Sequence, residues 1–345
     1  MLLKSKKKRR GGSMSYLYVT EDGASMGIDG GYYVVNCKDG VTKKVPKETL
    51  ESVALFGNIG ITTQCVRELL KMGIPVSYFS KNGAYYGRLE STGHKNIIRL
   101  KKQIFRSEDS TYSLELAKRI IKAKIYNQYI VLKRYFKNND NQINNLLNDL
   151  KIYREKIDMV KSDNELIGYE GAAARSYFSV LSKIINPEFS FNGRNRMPPR
   201  DPFNSMISLG YTLLMYEIYG EIENKALTPY CGFLHKDHER HPTLASDLME
   251  EWRAVIVDSV VMSLVQGNEI KQEHFIEDDE TGAVYLTTMG IRIFIKKYEA
   301  KLRSENKYLD GISMSYRRCL WYQVNKLVNA IEEDNAELYN PVTIR

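Results

Sequence analysis

Residues 231–253, CGFLHKDHERHPTLASDLMEEWR, set His235, His238 and His241 three apart, with Cys231 upstream and Asp247, Glu250 and Glu251 downstream. Thiolate, imidazole and carboxylate are the side chains that hold metal ions. This spacing admits a zinc site, a magnesium-type site, or a polar loop ahead of a helix. Zinc would take Cys231, His235, His238 and His241. That Cys-x3-His-x2-His-x2-His spacing is unlike the usual two-knuckle arrangement and crowds every ligand into one loop. His238 and His241 are interleaved with Lys236, Asp237, Glu239 and Arg240, the composition of a solvated loop. His235 follows Gly-Phe-Leu and is the one placed to turn inward. A helix expected from Thr243, just after Pro242, puts Asp247 one turn before Glu250 and Glu251, with Leu244, Leu248 and Val255 on its core side. Carboxylates at that spacing repel in water but suit a divalent cation. Without one, they read as an acidic first turn that complements the helix dipole.

Two further acids have apolar surroundings. On a helix, Glu170 has Leu166, Ile167, Ala173 and Ala174 as its neighbours three and four residues away. A carboxylate on that stripe must be paired, protonated or bound to a cation. Its plainest structural role is an ion pair with an arginine of the loop NPEFSFNGRNRMPPRDPFN, which holds Arg194, Arg196 and Arg200 among four prolines. Asp258, flanked by Ala254, Val255, Val261 and Met262, reads as a buried structural partner for an arginine. One inward imidazole and carboxylates from two helices would make an oxygen-rich site with a single nitrogen, suited to Mg²⁺ or Mn²⁺ more than to structural zinc.

The elements that must position these residues fall into two periods. From Tyr16 to about Ser91 the runs are short and β-like: YLYVT, YYVVN, TKKVP, ESVALF, IPVSYF and AYYGRLE. Asp-Gly and Asn-Gly turn signals separate them, and one helix near 62–73 stops at Gly73. After STGHKN the period becomes helical, beginning with IIRLKKQIF, and stays so to about Glu333 apart from the two loops already described. The expected fold is α+β: a small N-terminal β-sheet domain with one helix over 14–95, then a larger all-α C-terminal domain over 96–345.

The chain of 345 residues carries a net charge of +8, and six of those charges lie in MLLKSKKKRRGGS, ahead of Met14. Without them the body is near +2, so an acidic partner must be bound through local patches and not bulk charge. Residues 1–13 read as an engineered or vector-derived basic leader. No apolar run approaches the roughly 18 residues that span a bilayer, and the four cysteines show no paired spacing, which suggests a cytoplasmic protein with reduced thiols.

Four ordered motifs, LIGYEGAAARSYF, RNRMPPRDPFN, GFLH and SDLMEEWR, make the chain resemble CRISPR-associated protein one, the spacer-acquisition integrase family. The resemblance covers essentially everything after Met14. It implies a metal-dependent DNA endonuclease and integrase that inserts captured foreign DNA fragments into a CRISPR array by 3′-hydroxyl transesterification. It further implies a homodimer formed through the β domains, acting on double-stranded DNA (the captured fragment and the CRISPR repeat). A small ferredoxin-like partner protein would bridge two dimers. Carried over by motif, Glu170, His235 and Glu250 are the catalytic metal ligands for Mg²⁺ or Mn²⁺, Asp247 is an additional or outer ligand, and Glu251 faces elsewhere. Trp252 and Ala254 stand where relatives often have Phe and Pro. Arg175, Arg194, Arg196 and Arg200 are suited to DNA phosphates. The rival readings are a general metal-dependent nuclease for branched DNA and a non-catalytic DNA-binding scaffold.

Overall fold

The structure, a computed structural model, describes residues 15–92, 96–136, 140–189, 191–195, 198–309 and 311–345; the basic leader and Arg196 lie outside them. The chain divides into two compact units, 1–93 and 94–345.

The first unit holds β1 (Ser15–Val19), β2 (Ser25–Asp29), β3 (Tyr32–Asn36), β4 (Thr42–Pro46), β5 (Leu50–Phe56), β6 (Gly60–Ile61), α1 (Thr63–Met72), β7 (Val76–Phe79) and β8 (Tyr85–Leu89). They form two four-stranded sheets, ordered β1-β5-β7-β8 and β4-β3-β2-β6. The first is parallel except at the β7–β8 hairpin. Buried β-branched and aromatic side chains such as Tyr33, Val35, Val53 and Val76 make one core with Cys65 and Leu69 of α1. That helix starts where the Thr62 hydroxyl accepts from Cys65 N–H. It stops where Gly73, at φ 69°, turns left-handed and returns its N–H to Leu69 and Leu70. Strand β2, SMGID, alternates only over Met26 and Ile28, too short a run to establish a period, and it is held by antiparallel pairing with β3.

The second unit is mostly helical: α2 (Ile97–Glu108), α3 (Ser110–Tyr135), α4 (Asn141–Lys156), α5 (Asp163–Ile184), α6 (Pro202–Asn224), α7 (Thr243–Met249), α8 (Ser259–Gln266), α9 (Thr288–Arg303) and α10 (Tyr316–Glu332). Two small hairpins interrupt the helices, β9 (Phe275–Asp278) with β10 (Ala283–Leu286) and β11 (Glu305–Leu309) with β12 (Ile312–Ser315). The sequence reading did not separate them from the helical stretches around them, because four- and five-residue strands are too short to establish a period.

Helix α6 is buried nearly all round. Asp201 accepts from Asn204 N–H at 2.7 Å as its cap, and Pro202 supplies the first turn. Asp201 also accepts from the side chains of Asn195 and Asn204, so the arginine-rich loop is tied down by its own amides. Between α7 and α8 the backbone widens into a π-helical turn, Arg253–Asp258, which packs on α6 at Gly210. A Cβ on Gly210 would lie 2.4 Å from Val257 Cγ1 and 2.9 Å from Phe294 Cζ. Gly210→Ala should therefore destabilise the protein by about 1–3 kcal/mol through overpacking, read by denaturant unfolding. Wild-type stability in this variant would show that the α6 contact is loose.

Candidate active site

Three helices and one loop build the site. Lys124 projects from the middle of α3, Glu170 from α5, and Glu250 from the end of α7, while His235 lies on the loop between α6 and α7. Lys124 Nζ stands 2.5 Å from Glu170 Oε1 and 2.6 Å from Glu250 Oε2. Arg253 Nε approaches Glu250 Oε1 at 3.1 Å, its guanidinium lying over the Tyr211 ring. The side chains of Lys124 and Glu250 are 9% and 5% exposed and that of Glu170 27%, so the charges neutralise one another mostly away from water. Among the described residues Glu170 is thus paired with a lysine of α3 and not with a loop arginine, and it is only partly buried, while Ile167 on its stripe is exposed.

Burial alone would raise the Glu250 pKa, but Arg253, Lys124 and His235 outweigh it and hold the carboxyl down at about 2. Burial would likewise discharge Lys124, and Glu250 and Glu170 reverse that, so its pKa is raised. Lys124 was missed in the sequence although a signal existed: its helical neighbours are Ile120, Ile121, Asn127 and Gln128, all buried. A lysine on the inner face of a helix needs a carboxylate partner.

Asp247, offered by the sequence as a further ligand, is fully buried and otherwise engaged. Its Oδ2 accepts from Phe233 N–H at 2.7 Å and Leu234 N–H at 3.0 Å, and its Oδ1 from His235 N–H at 3.1 Å. The same Oδ1 lies 2.6 Å from His235 Nδ1. An ionised carboxylate only accepts, so Nδ1 carries a proton, and whenever the ring is neutral it is Nε2 that presents the lone pair. Gly232 is required here, because a Cβ would lie 2.6 Å from Asp247 Oδ2. Desolvation pulls the His235 pKa down, but the bond to Asp247, its charge and that of Glu250 win, and the pKa is raised.

The zinc arrangement is not assembled. Cys231 Sγ meets Ser107 Oγ at 2.8 Å, His241 Nε2 meets Ser246 Oγ at 3.1 Å, and His238 pairs with His241 through the backbone. Among the described residues, no three His, Cys, Asp or Glu side chains stand close enough to grip one ion together. Glu251 faces away from Glu250: its carboxylate accepts from Tyr339 hydroxyl and, at 2.9 Å, from Val342 N–H. Burial pushes its pKa up to about 7. The expectation of an arginine bonded to Asp258 is corrected. Its carboxylate accepts from the hydroxyls of Tyr177 and Tyr211, each at 2.7 Å, and burial pushes it up to about 6 although Arg253 and Arg194 add favourable charge. Arg194 donates to Asn204 Oδ1 and Ser208 Oγ and so braces the loop, whereas Arg175 and Arg200 are exposed.

A β-rich unit is thus followed by a helical one that gathers two acids on one lysine and orients an imidazole by a carboxylate. Residues 17–300 match the family model described as CRISPR associated protein Cas1, and the chain belongs to that family. It is 35% identical to the CRISPR-associated endonuclease Cas1 of Mycobacterium tuberculosis over 92% of this chain and 94% of that one. It is 32% identical to a Thermus thermophilus Cas1 endonuclease over 97% and 99%. Among solved structures, casposase bound to integration product aligns with a TM-score of 0.81 at 26% identity, covering 93% of this chain and 92% of that one. The Cas6-RT-Cas1–Cas2 complex aligns at 0.83 and 25%, covering 96% of this chain and 36% of its own. Thermotoga maritima Cas1 shares the fold, with a TM-score of 0.80 at 23% identity over 92% and 97%. No helix among the described residues is long and apolar enough to cross a membrane.

Two outcomes test the electrostatics. The Glu250 pKa is depressed, so its contribution to stability is present above 4.5 and fades as pH falls towards about 2. Glu250→Gln, with chelator present, should melt lower than wild type at neutral pH, and the gap should close across that window; a constant gap would assign the effect to packing. Asp247→Asn should lower the pKa of His235, followed by NMR titration of its ring, and an unmoved titration would show that Asp247 exerts no charge effect there.

Proposed function

We propose that this chain is a metal-dependent DNA endonuclease and integrase that joins captured foreign DNA fragments to a CRISPR array. The observation that carries the reading is the convergence of Glu170 and Glu250 on a single point, the Lys124 ammonium, together with a His235 whose imidazole is oriented by Asp247. The names of the relatives as endonucleases support the hydrolytic half, and the likeness to casposase bound to integration product supports the joining half.

Mg²⁺ or Mn²⁺ suits the chemistry of these donor types, and the three side chains would have to draw closer than they stand here to close on one ion. Glu250 Oε2 is buried and faces a cation already, the Lys124 ammonium at 2.6 Å, so the position is one that favours positive charge. His235 Nε2 makes no hydrogen bond among the described residues, and two carboxylates with one imidazole suit a hard or borderline divalent ion. Glu170, Glu250 and His235 would hold the ion. Asp247 keeps the histidine in the ligating tautomer and lies outside the coordination shell. When bound, such an ion supplies Lewis-acid stabilisation of charge on the attacked phosphate.

The remaining work belongs to the chain itself. The 3′-hydroxyl of the fragment must be aligned with a phosphodiester of the repeat, and the exposed guanidinium groups of Arg175 and Arg200 are suited to clamp the flanking phosphates in bidentate fashion. Arg194 shapes the same loop from inside. The reading includes a homodimer formed through the first unit and a small ferredoxin-like CRISPR-associated partner that bridges two dimers on double-stranded DNA. Neighbours solved as Cas6-RT-Cas1–Cas2 complexes support it.

Glu170→Ala, His235→Ala and Glu250→Ala should each lower 3′-end joining in Mg²⁺ or Mn²⁺ by at least about a hundredfold, with circular dichroism and duplex binding largely kept. Asp247→Ala should cost roughly 10–100-fold, as an orienting group does. Joining at near-wild-type rate removes that residue from the site, and nicking without joining by the wild-type protein reduces the function to a nuclease.

A further inference from the structure

Lys124 and Arg253 are members of the charge cluster that the proposed reaction does not use, and Lys124 is the one that touches both glutamates. Its ammonium touches one oxygen of each candidate metal-binding glutamate, Glu170 Oε1 and Glu250 Oε2. Both contacts are short: Lys124 donates a hydrogen bond to Glu170 Oε1 at 2.5 Å and stands 2.6 Å from Glu250 Oε2. One ammonium therefore occupies the space between the two carboxylates that a second cation would need. Glu250 would keep Arg253 on its other oxygen if that cation took the place of the ammonium.

The cluster is also balanced in charge. Two carboxylates face one ammonium and one guanidinium. A divalent ion placed on the same two oxygens would bring two further positive charges beside an ammonium that is buried on an apolar helix face, and like charges at that range repel strongly out of water. The ion and the ammonium therefore exclude each other from the same pair of oxygens.

We propose that Lys124 is an internal counter-ion for the metal-ligand pair: its ammonium keeps Glu170 and Glu250 together in the absence of a divalent ion and competes with that ion for the same oxygens, so that it sets the threshold for metal loading. This rests on the reading of Glu170 and Glu250 as ligands. It makes Lys124 a positioning residue that acts through the two acids. It also accounts for an arrangement in which the acids meet on an amine and His235 stands beside them without a closed three-ligand cluster.

The test uses the full chain and Mn²⁺ alone, without DNA. Lys124→Met keeps the length and apolar stem of the side chain and removes the charge. By calorimetric titration it should bind Mn²⁺ about tenfold more tightly than wild type. Its chelated form should melt at a lower temperature than chelated wild type, and Mn²⁺ should raise its melting temperature by more. In the wild-type protein, Mg²⁺ should shift the side-chain Cε and Nζ resonances of Lys124, a measurement that stands even if the variant fails to fold. Unchanged or weaker Mn²⁺ binding by Lys124→Met, while Glu170→Ala abolishes binding, would overturn the competition and leave the ligand assignment intact. Lys124 resonances that ignore saturating Mg²⁺ would overturn it as well. Mn²⁺ binding that survives both Glu170→Ala and Glu250→Ala would overturn the ligand assignment and the proposal together.

Discussion

The buried contact of Lys124 with Glu170 and Glu250 is the constraint around which the helical unit is arranged. Each group alone would be too costly to remove from water, and together with Arg253 they can be buried because every charge has an opposite neighbour. The cluster draws α3, α5 and the end of α7 to one place. The same stretch of α3 then makes a second buried connection, since Asn127 donates to the carbonyls of Glu251 and Val342 and accepts from Ile344 N–H. One helix face therefore fixes the acids of the site through Lys124 and the backbone beside them through Asn127.

The π-helical turn Arg253–Asp258 follows from the same demand. Arg253 has to reach back to Glu250 and lie on Tyr211, while Asp258 has to meet both Tyr177 and Tyr211. The wider turn changes the angle between successive side chains and lets one short segment serve both, with α6 able to approach because Gly210 has no side chain. A second such economy occurs at Asp247, whose two oxygens take three backbone N–H groups and the His235 ring. The loop conformation and the histidine tautomer are thereby set by one carboxylate.

Much of this was legible in the sequence, and the omissions have physical causes. Glu170 could be singled out as an acid on an apolar stripe and His235 by the Gly-Phe-Leu before it, although its side chain is 42% exposed, whereas Glu250 was preferred over its neighbours only through the family resemblance. The β-rich start and the helical remainder followed from period, and Gly73 marked the end of α1 at the expected place. Lys124 was missed because lysines are abundant on amphipathic helices, and only its inner-face neighbours distinguish it from a solvated one. The partners of Asp258 could not be read at all, since tyrosines of α5 and α6 reach it across the fold and no local spacing encodes that meeting. Arg194 looked like a phosphate clamp by type, yet its geometry makes it a brace for its own loop.

Adjacent Glu250 and Glu251 show most directly how packing assigns chemistry to identical side chains. Both are buried, and burial alone would raise both carboxyl groups. Glu250 sits among Arg253, Lys124 and His235 and is held at about 2, while Glu251 meets only neutral donors at close range and is pushed to about 7. The difference arises because the two residues lie in the turn after α7 and point to different sides: Glu250 towards α3 and Lys124, Glu251 towards Tyr339, Gln323 and the chain near Val342. Glu250 is charged and its oxygens face cations, whereas Glu251 has spent its oxygens on Tyr339 and Val342 and resists ionisation. The choice between the two acids, open when only their spacing is known, is therefore made by which of them the fold surrounds with positive charge.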